Sequence, residues 1–122
     1  MRQQRHIRNI AMKNISEFRI IGRVGRIEIL DKVAYLNVAA NYGRKVDGEW
    51  CDDTHWNRVT LFGQCIERAQ KMETGDLIHV TGRVRQTKYD RHGQTVFGVD
   101  LICDGLAVLA SRSGSVDDRS SC

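Results

Sequence analysis

The chain has 122 residues, enough for one domain with a modest core, and a formal net charge of +4. It holds no apolar run of transmembrane length, no secretory signal and no proline. Its four cysteines (Cys51, Cys65, Cys103 and Cys122) lack CxxC spacing, so they read as free thiols of a reducing compartment rather than as a zinc site.

The positive charge is local. Residues 1–13 carry Arg2, Arg5, Arg8 and Lys13 and no acid, whereas residues 14–110 hold 13 basic and 13 acidic side chains. Residues 1–15 therefore read as a flexible basic arm suited to phosphates. Met12 is an alternative start, and the Arg-rich, acid-free arm also fits a very short mitochondrial transit peptide.

Phe18 to Ile29 is expected as a first strand, with Phe18, Ile20, Gly22 and Val24 on one face and Arg19, Ile21 and Arg23 on the other. Gly22 and Gly25 suit a strongly bent strand of the kind that closes a small barrel. Leu30 to Lys32 reads as a turn and Val33 to Ala40 as the second strand. Asn41 to Asp53 is polar and reads as a long hairpin loop carrying Tyr42 and Trp50. Thr54 to Phe62 is the third strand. Gln64 to Met72 reads as the one helix, with Ile66, Ala69 and Met72 at helical spacing and Gly75 as a stop. Leu77 to Val84 is the fourth strand, turning Ile78, Val80, Gly82 and Val84 inward. Gln86 to Thr95 reads as a polar hairpin turning at Gly93, and Val96 to Leu109 as a last strand bent near Gly105. The Ser-rich segment 111–122 reads as a disordered tail.

Three strands, one helix and two strands is the order of an oligonucleotide-binding Greek-key barrel, all-β with one short helix between strands three and four. Residues 16–110 form that domain.

The most informative run is Trp56-Asn57-Arg58-Val59-Thr60-Leu61-Phe62. Alternation puts Trp56, Arg58, Thr60 and Phe62 on one face and Asn57, Val59 and Leu61 on the other. The second face is a core face. The first joins two flat rings to a guanidinium, which suits unpaired bases and their phosphates. The same pattern also fits a pair of core aromatics on a dimer seam.

Asp52, Asp53 and His55 lie close together, but a polar hairpin explains them more simply than a metal-dependent nuclease. Gly22-x-x-Gly25 lacks the third glycine of a dinucleotide fingerprint, and neither a phosphate loop nor a nucleophile elbow is present. No catalytic residue, metal or cofactor is expected.

Five motifs in order resemble the bacterial single-stranded DNA-binding protein family of the homotetrameric replication and repair type. They are Ile20-Ile21-Gly22-Arg23-Val24-Gly25, Val38-Ala39-Ala40-Asn41, Trp56 to Gly63, Gly75 to Gly82, and Val84-Arg85-Gln86-Thr87-Lys88-Tyr89. The resemblance implies stacking of bases on Trp56 and Phe62. Tyr89 stands where the family often has tryptophan, and Tyr42, with Trp50 as second choice, answers to the aromatic of the loop after strand two. Arg23, Arg58, Arg83, Arg85 and Lys88 are the candidates for phosphate contact, each also able to pair with a nearby carboxylate.

The resemblance further implies self-association as a homotetramer, no membrane, and a bacterial, nucleoid-associated cytoplasmic setting, with the mitochondrion as alternative. The chain closes on Asp117-Asp118-Arg119-Ser120-Ser121-Cys122, without the acidic tip ending in proline and phenylalanine through which the family recruits DNA-processing proteins. Recruitment is therefore in doubt. With the basic arm, this points to a specialised paralogue, for example one on a plasmid, phage or mobile element.

The function expected is binding and protection of single-stranded DNA with little sequence preference, in replication, recombination or repair. The alternatives are a primosome-like or RNA-binding module on the same fold, or a protein-interaction barrel with vestigial DNA binding.

Overall fold

The computed structural model describes residues 13–112. The rest of the basic arm and of the Ser-rich tail lies outside the described residues.

Five strands close into a barrel: β1 (Glu17–Ile29), β2 (Ala34–Val46), β3 (Glu49–Leu61), β4 (Leu77–Arg91) and β5 (Gln94–Ala110). A short helix, α1 (Gln64–Ala69), joins β3 to β4. Around the barrel the order is β1-β2-β3-β5-β4, and β4 returns to pair with β1. All neighbours are antiparallel except β3 and β5, whose parallel pairing is limited to Val59 with Leu101 and Thr60 with Ile102. This is the five-stranded barrel with an interposed helix that the element order predicts.

Inward alternation builds the core, and Thr60 and Ile102, on the outward face, are also buried where β3 and β5 pair. Leu36, Val38, Val59, Leu61, Ile78 and Val80 are fully buried. Ala69 and Met72 add to the same core from the helix and the turn that follows it. Closure is tight where glycines face backbone: a Cβ on Gly22 would run into the Ala39 carbonyl, and one on Gly82 into the Ile102 carbonyl.

Three expectations need correction. The hairpins expected over 41–53 and 86–95, the second turning at Gly93, are present, but they are strand rather than loop. Each continues its strands into a two-stranded ribbon that reaches beyond the barrel and closes on a two-residue turn. Asp47 and Gly48 have φ of 53° and 83°, and His92 and Gly93 have φ of 51° and 81°. Positive φ at both central residues is the mark of the type I′ hairpin turn, whose twist matches the strands it joins. The helix stops at Ala69 rather than Met72, because the amides of Lys71 and Met72 bond three residues back, to Arg68 and Ala69, in a tightened last turn. Finally, Cys65 and Cys103 are free thiols, whereas Cys51 is disulfide-bonded.

The bend expected near Gly105 is present. Thr81 pairs with Gly105 and Gly82 with Cys103, which leaves Asp104 as the extra residue of a bulge. A second irregularity, on β1, sets Gly25 and Arg26 against the single Asn37 of β2. It bears directly on the site described next.

Candidate nucleic-acid interface

The β2–β3 register sets the outward face of the ribbon. Trp56 lies opposite Ala39, Arg58 opposite Asn37, and Thr60 opposite Tyr35. Trp56 is 62% exposed and Phe62 45%, while Val59 and Leu61, between them in sequence, are fully buried. The aromatic face is thus an open surface on the barrel. Trp56 reaches across the small Ala39 to lie on Gly25 of β1, where any Cβ would collide with its indole. The bulge at Gly25-Arg26 gives that ring a flat floor.

Three hollows join along this face. The first, about 390 Å³, is lined by Gly25, Arg26, Asn37 and Trp56. The second, about 260 Å³, shares Arg26 and Asn37 with it and adds Glu28, Tyr35 and Arg58. The third, about 380 Å³, shares Tyr35 and Arg58 with the second and ends among Thr60, Phe62, Arg85 and Val99. A row of hollows with shared walls therefore lines a groove from Trp56 past Arg58 to Phe62. At its midpoint the Arg58 guanidinium lies 3.9 Å above the Tyr35 ring, a contact that orients the cation without neutralising it.

The other candidate cations are placed differently. Arg85 lines the third hollow but holds Asp100 at 3.0 Å. Arg23 is half-buried and donates to the Gly75 carbonyl at 3.1 Å. Arg83 is exposed on β4, at the register position facing Glu17 of β1. Lys88 is exposed on the β4–β5 ribbon.

A model of the single-strand binding protein family matches residues 15–109. The chain belongs to this family. Its members are DNA-binding proteins rather than enzymes. The single-strand binding protein of Plasmodium falciparum, solved in complex with single-stranded DNA, shares 25% identity over 81% of this chain and 98% of its own, at a TM-score of 0.63. A small single-stranded DNA-binding protein from Streptomyces coelicolor shares 18% identity over 79% of this chain and 95% of its own, at 0.60. The mitochondrial protein Rim1 of S. cerevisiae shares 18% over 80% and 98%, at 0.61. The last two show that the fold is common to bacterial and mitochondrial single-strand binding proteins.

Within this family member, the two ribbons sort the remaining aromatics. Trp50 falls on the Trp56 face, with its ring over Gly43 and the Lys45 ammonium 5.7 Å from its centroid. Tyr42 falls on the opposite face, where it meets His55 edge-on at 5.6 Å in a hollow with Arg19 and Ile21. His55 in turn lies 3.3 Å from Asp53. Asp52 sits on the other face of the ribbon from both, and among the described residues no three His, Cys, Asp or Glu side chains cluster as metal ligands.

On the β4–β5 ribbon, Tyr89 pairs with Val96 on one face and Lys88 with Phe97 on the other. Phe97 is 61% exposed and shares its face with Val99, which lines the Phe62 hollow. The same hollow is lined by Arg85 and Asp100, a cross-strand pair on the Tyr89 face, and the pairing of Thr60 with Ile102 joins that face to the face of Arg58 and Phe62, so Tyr89 continues the aromatic face outward while Phe97 continues the core side. Arg26 and Tyr35 went unmarked in the sequence. Only exact register reveals them, since a slip of one residue exchanges the faces.

Proposed function

We propose that this chain binds and protects single-stranded DNA, with little sequence preference, by laying the strand along the groove from Trp56 to Phe62. The observation that carries this is the groove's make-up: exposed rings at both ends, with a guanidinium held on a tyrosine between them. Rings stack on any base, and cations meet the phosphate that every nucleotide carries. Trp56, Phe62 and Trp50 are the stacking platforms of the β2–β3 face. Arg58 is the first phosphate contact, joined by Arg26, and by Arg85 when it leaves Asp100. Tyr89, on the Arg85 face, extends the track along the β4–β5 ribbon. Lys88 and Phe97, on that ribbon's other face, offer a second contact surface. Arg23 and Arg83 serve as outlying cations. Residues 16–110 act as the binding domain.

The test is equilibrium titration with oligo(dT), matched RNA and duplex DNA at several salt concentrations. The reading expects tight binding of the single DNA strand, weakened by salt, and little binding of duplex. Equal affinity for duplex and single strand would refute it, and a preference for RNA would favour the RNA-binding alternative.

Self-association as a homotetramer accompanies this proposal. Exposed Ile21, Val108 and Leu109 leave apolar surface that further copies would cover. Light scattering at micromolar concentration should return four times the chain mass, and a monomer would count against it. Replication, recombination and repair are the processes in which bare single strands arise. The bacterial cytoplasm is our assignment of compartment, with the mitochondrion as alternative, and fractionation of the native host decides between them.

A further inference from the structure

The barrel end capped by α1 carries two thiols that DNA binding does not use. Cys65, in the first turn of α1, is partly exposed, whereas Cys103, on β5, is buried. Their sulfurs lie 3.2 Å apart, with the Cys103 thiol donating to Cys65 and also directed at the Gly105 carbonyl at 3.5 Å. Arg68 holds α1 against β5 by a bond to the Leu106 carbonyl at 3.3 Å, which keeps the two sulfurs facing. A disulfide requires about 2.05 Å, so an approach of about 1.1 Å suffices.

We infer that Cys65 and Cys103 form a thiol–disulfide exchange site, which takes a low-molecular-weight disulfide such as oxidised glutathione and closes to an intramolecular cross-link between α1 and β5. Exposure sets the order of attack. Cys65 is the thiol an oxidant can reach. Burial, and then the hydrogen bond with Cys65, push the Cys103 thiol up to about 12, so it stays protonated while the first exchange occurs.

Cys65 gives its proton to solvent, and its thiolate attacks one sulfur of oxidised glutathione. One glutathione thiolate leaves and is protonated. Cys103 then gives its proton to solvent, and its thiolate attacks the Cys65 sulfur and expels the second glutathione as a thiolate, which is protonated. Two protein thiols are oxidised and one small disulfide is reduced to two thiols. The bond spans 38 residues of chain. It forms one turn from the groove, since the Cys65 amide bonds to the Phe62 carbonyl at 3.2 Å.

The test uses the full chain, reduced, freed of reductant, and exposed to oxidised glutathione in native buffer. It is then quenched with N-ethylmaleimide and mapped by peptide mass without reduction. The expected product is a peptide pair joined through Cys65 and Cys103, which dithiothreitol separates. Cys103→Ala should instead accumulate glutathione on Cys65, and Cys65→Ala should leave Cys103 unmodified. Three results would overturn the inference: a wild-type chain that stops at a stable glutathione adduct on Cys65, two thiols that remain fully alkylated by the quench reagent, or a 65–103 link that forms only in urea. The wild-type map decides the matter even if the alanine variants do not fold.

Discussion

Replacing Gly25 by alanine should separate binding from folding. A Cβ at this position would strike the Trp56 indole at its six-membered edge, with Cη2 only 2.8 Å away, while the nearest backbone atom, the Asn37 carbonyl oxygen, lies at an ordinary 3.5 Å. The collision is with the far end of an exposed side chain that can rotate away. The fold should therefore survive with a stability change within about 1 kcal/mol, whereas the indole loses its floor. If the ring no longer presents its face, the loss is that of one stacked base, about 1–3 kcal/mol, or roughly 5- to 150-fold in Kd. Trp56→Ala should cost a similar amount, and the double variant no more than the larger of the two, because both changes remove the same stack. The assay is oligo(dT) titration, followed by anisotropy of a labelled oligonucleotide, with thermal melts in parallel. Wild-type affinity in Gly25→Ala would refute the reasoning, and so would additive losses in the double variant.

Gly82→Ala should behave oppositely: its Cβ meets the Ile102 carbonyl, so melting temperature should fall sharply and no soluble, well-folded binding variant should be recovered. Leu61→Ala removes a fully buried core side chain and should cost about 2–5 kcal/mol by urea denaturation. Arg58→Ala should weaken binding and flatten the slope of log affinity against log salt by about 0.7, the value for one phosphate contact on a single strand; an unchanged slope would remove Arg58 from the track. Tyr89→Ala should weaken oligo(dT) binding by about 1–3 kcal/mol while Tyr42→Ala leaves it unaltered, and the reverse ranking would mean the strand runs on the other face of the ribbons.

The β3 site could be read from the sequence because strict alternation from Trp56 to Phe62 decides both faces without knowledge of any partner strand. Val59 and Leu61 are buried and Trp56 and Arg58 exposed, as period two demands. The core of β4 was readable for the same reason. What stayed hidden depends on register. Polar composition concealed the two ribbons, although Asp47-Gly48 is itself a strong hairpin signal and fixes the pairing of all thirteen residues of β2 with β3. That register, not composition, sets Trp50 on the Trp56 face and sends Tyr42 to the other. It likewise puts Tyr89, not Phe97, on the Arg85 face. Arg23 donates not to a nearby carboxylate but to the carbonyl of Gly75, 52 residues away. The Arg58–Tyr35 contact joins two strands, and the Cys65–Cys103 contact joins a helix to a strand. No local pattern announces either.

The most direct test of the groove is photocross-linking. Oligo(dT) carrying 5-iodouracil at scattered positions would be irradiated in complex with the full chain, and the linked peptides sequenced. The account predicts adducts at Trp56, Phe62 and Trp50, with Tyr89 next, and none at Tyr42. Adducts concentrated on Tyr42 and His55, with Trp56 and Phe62 unlabelled, would contradict it.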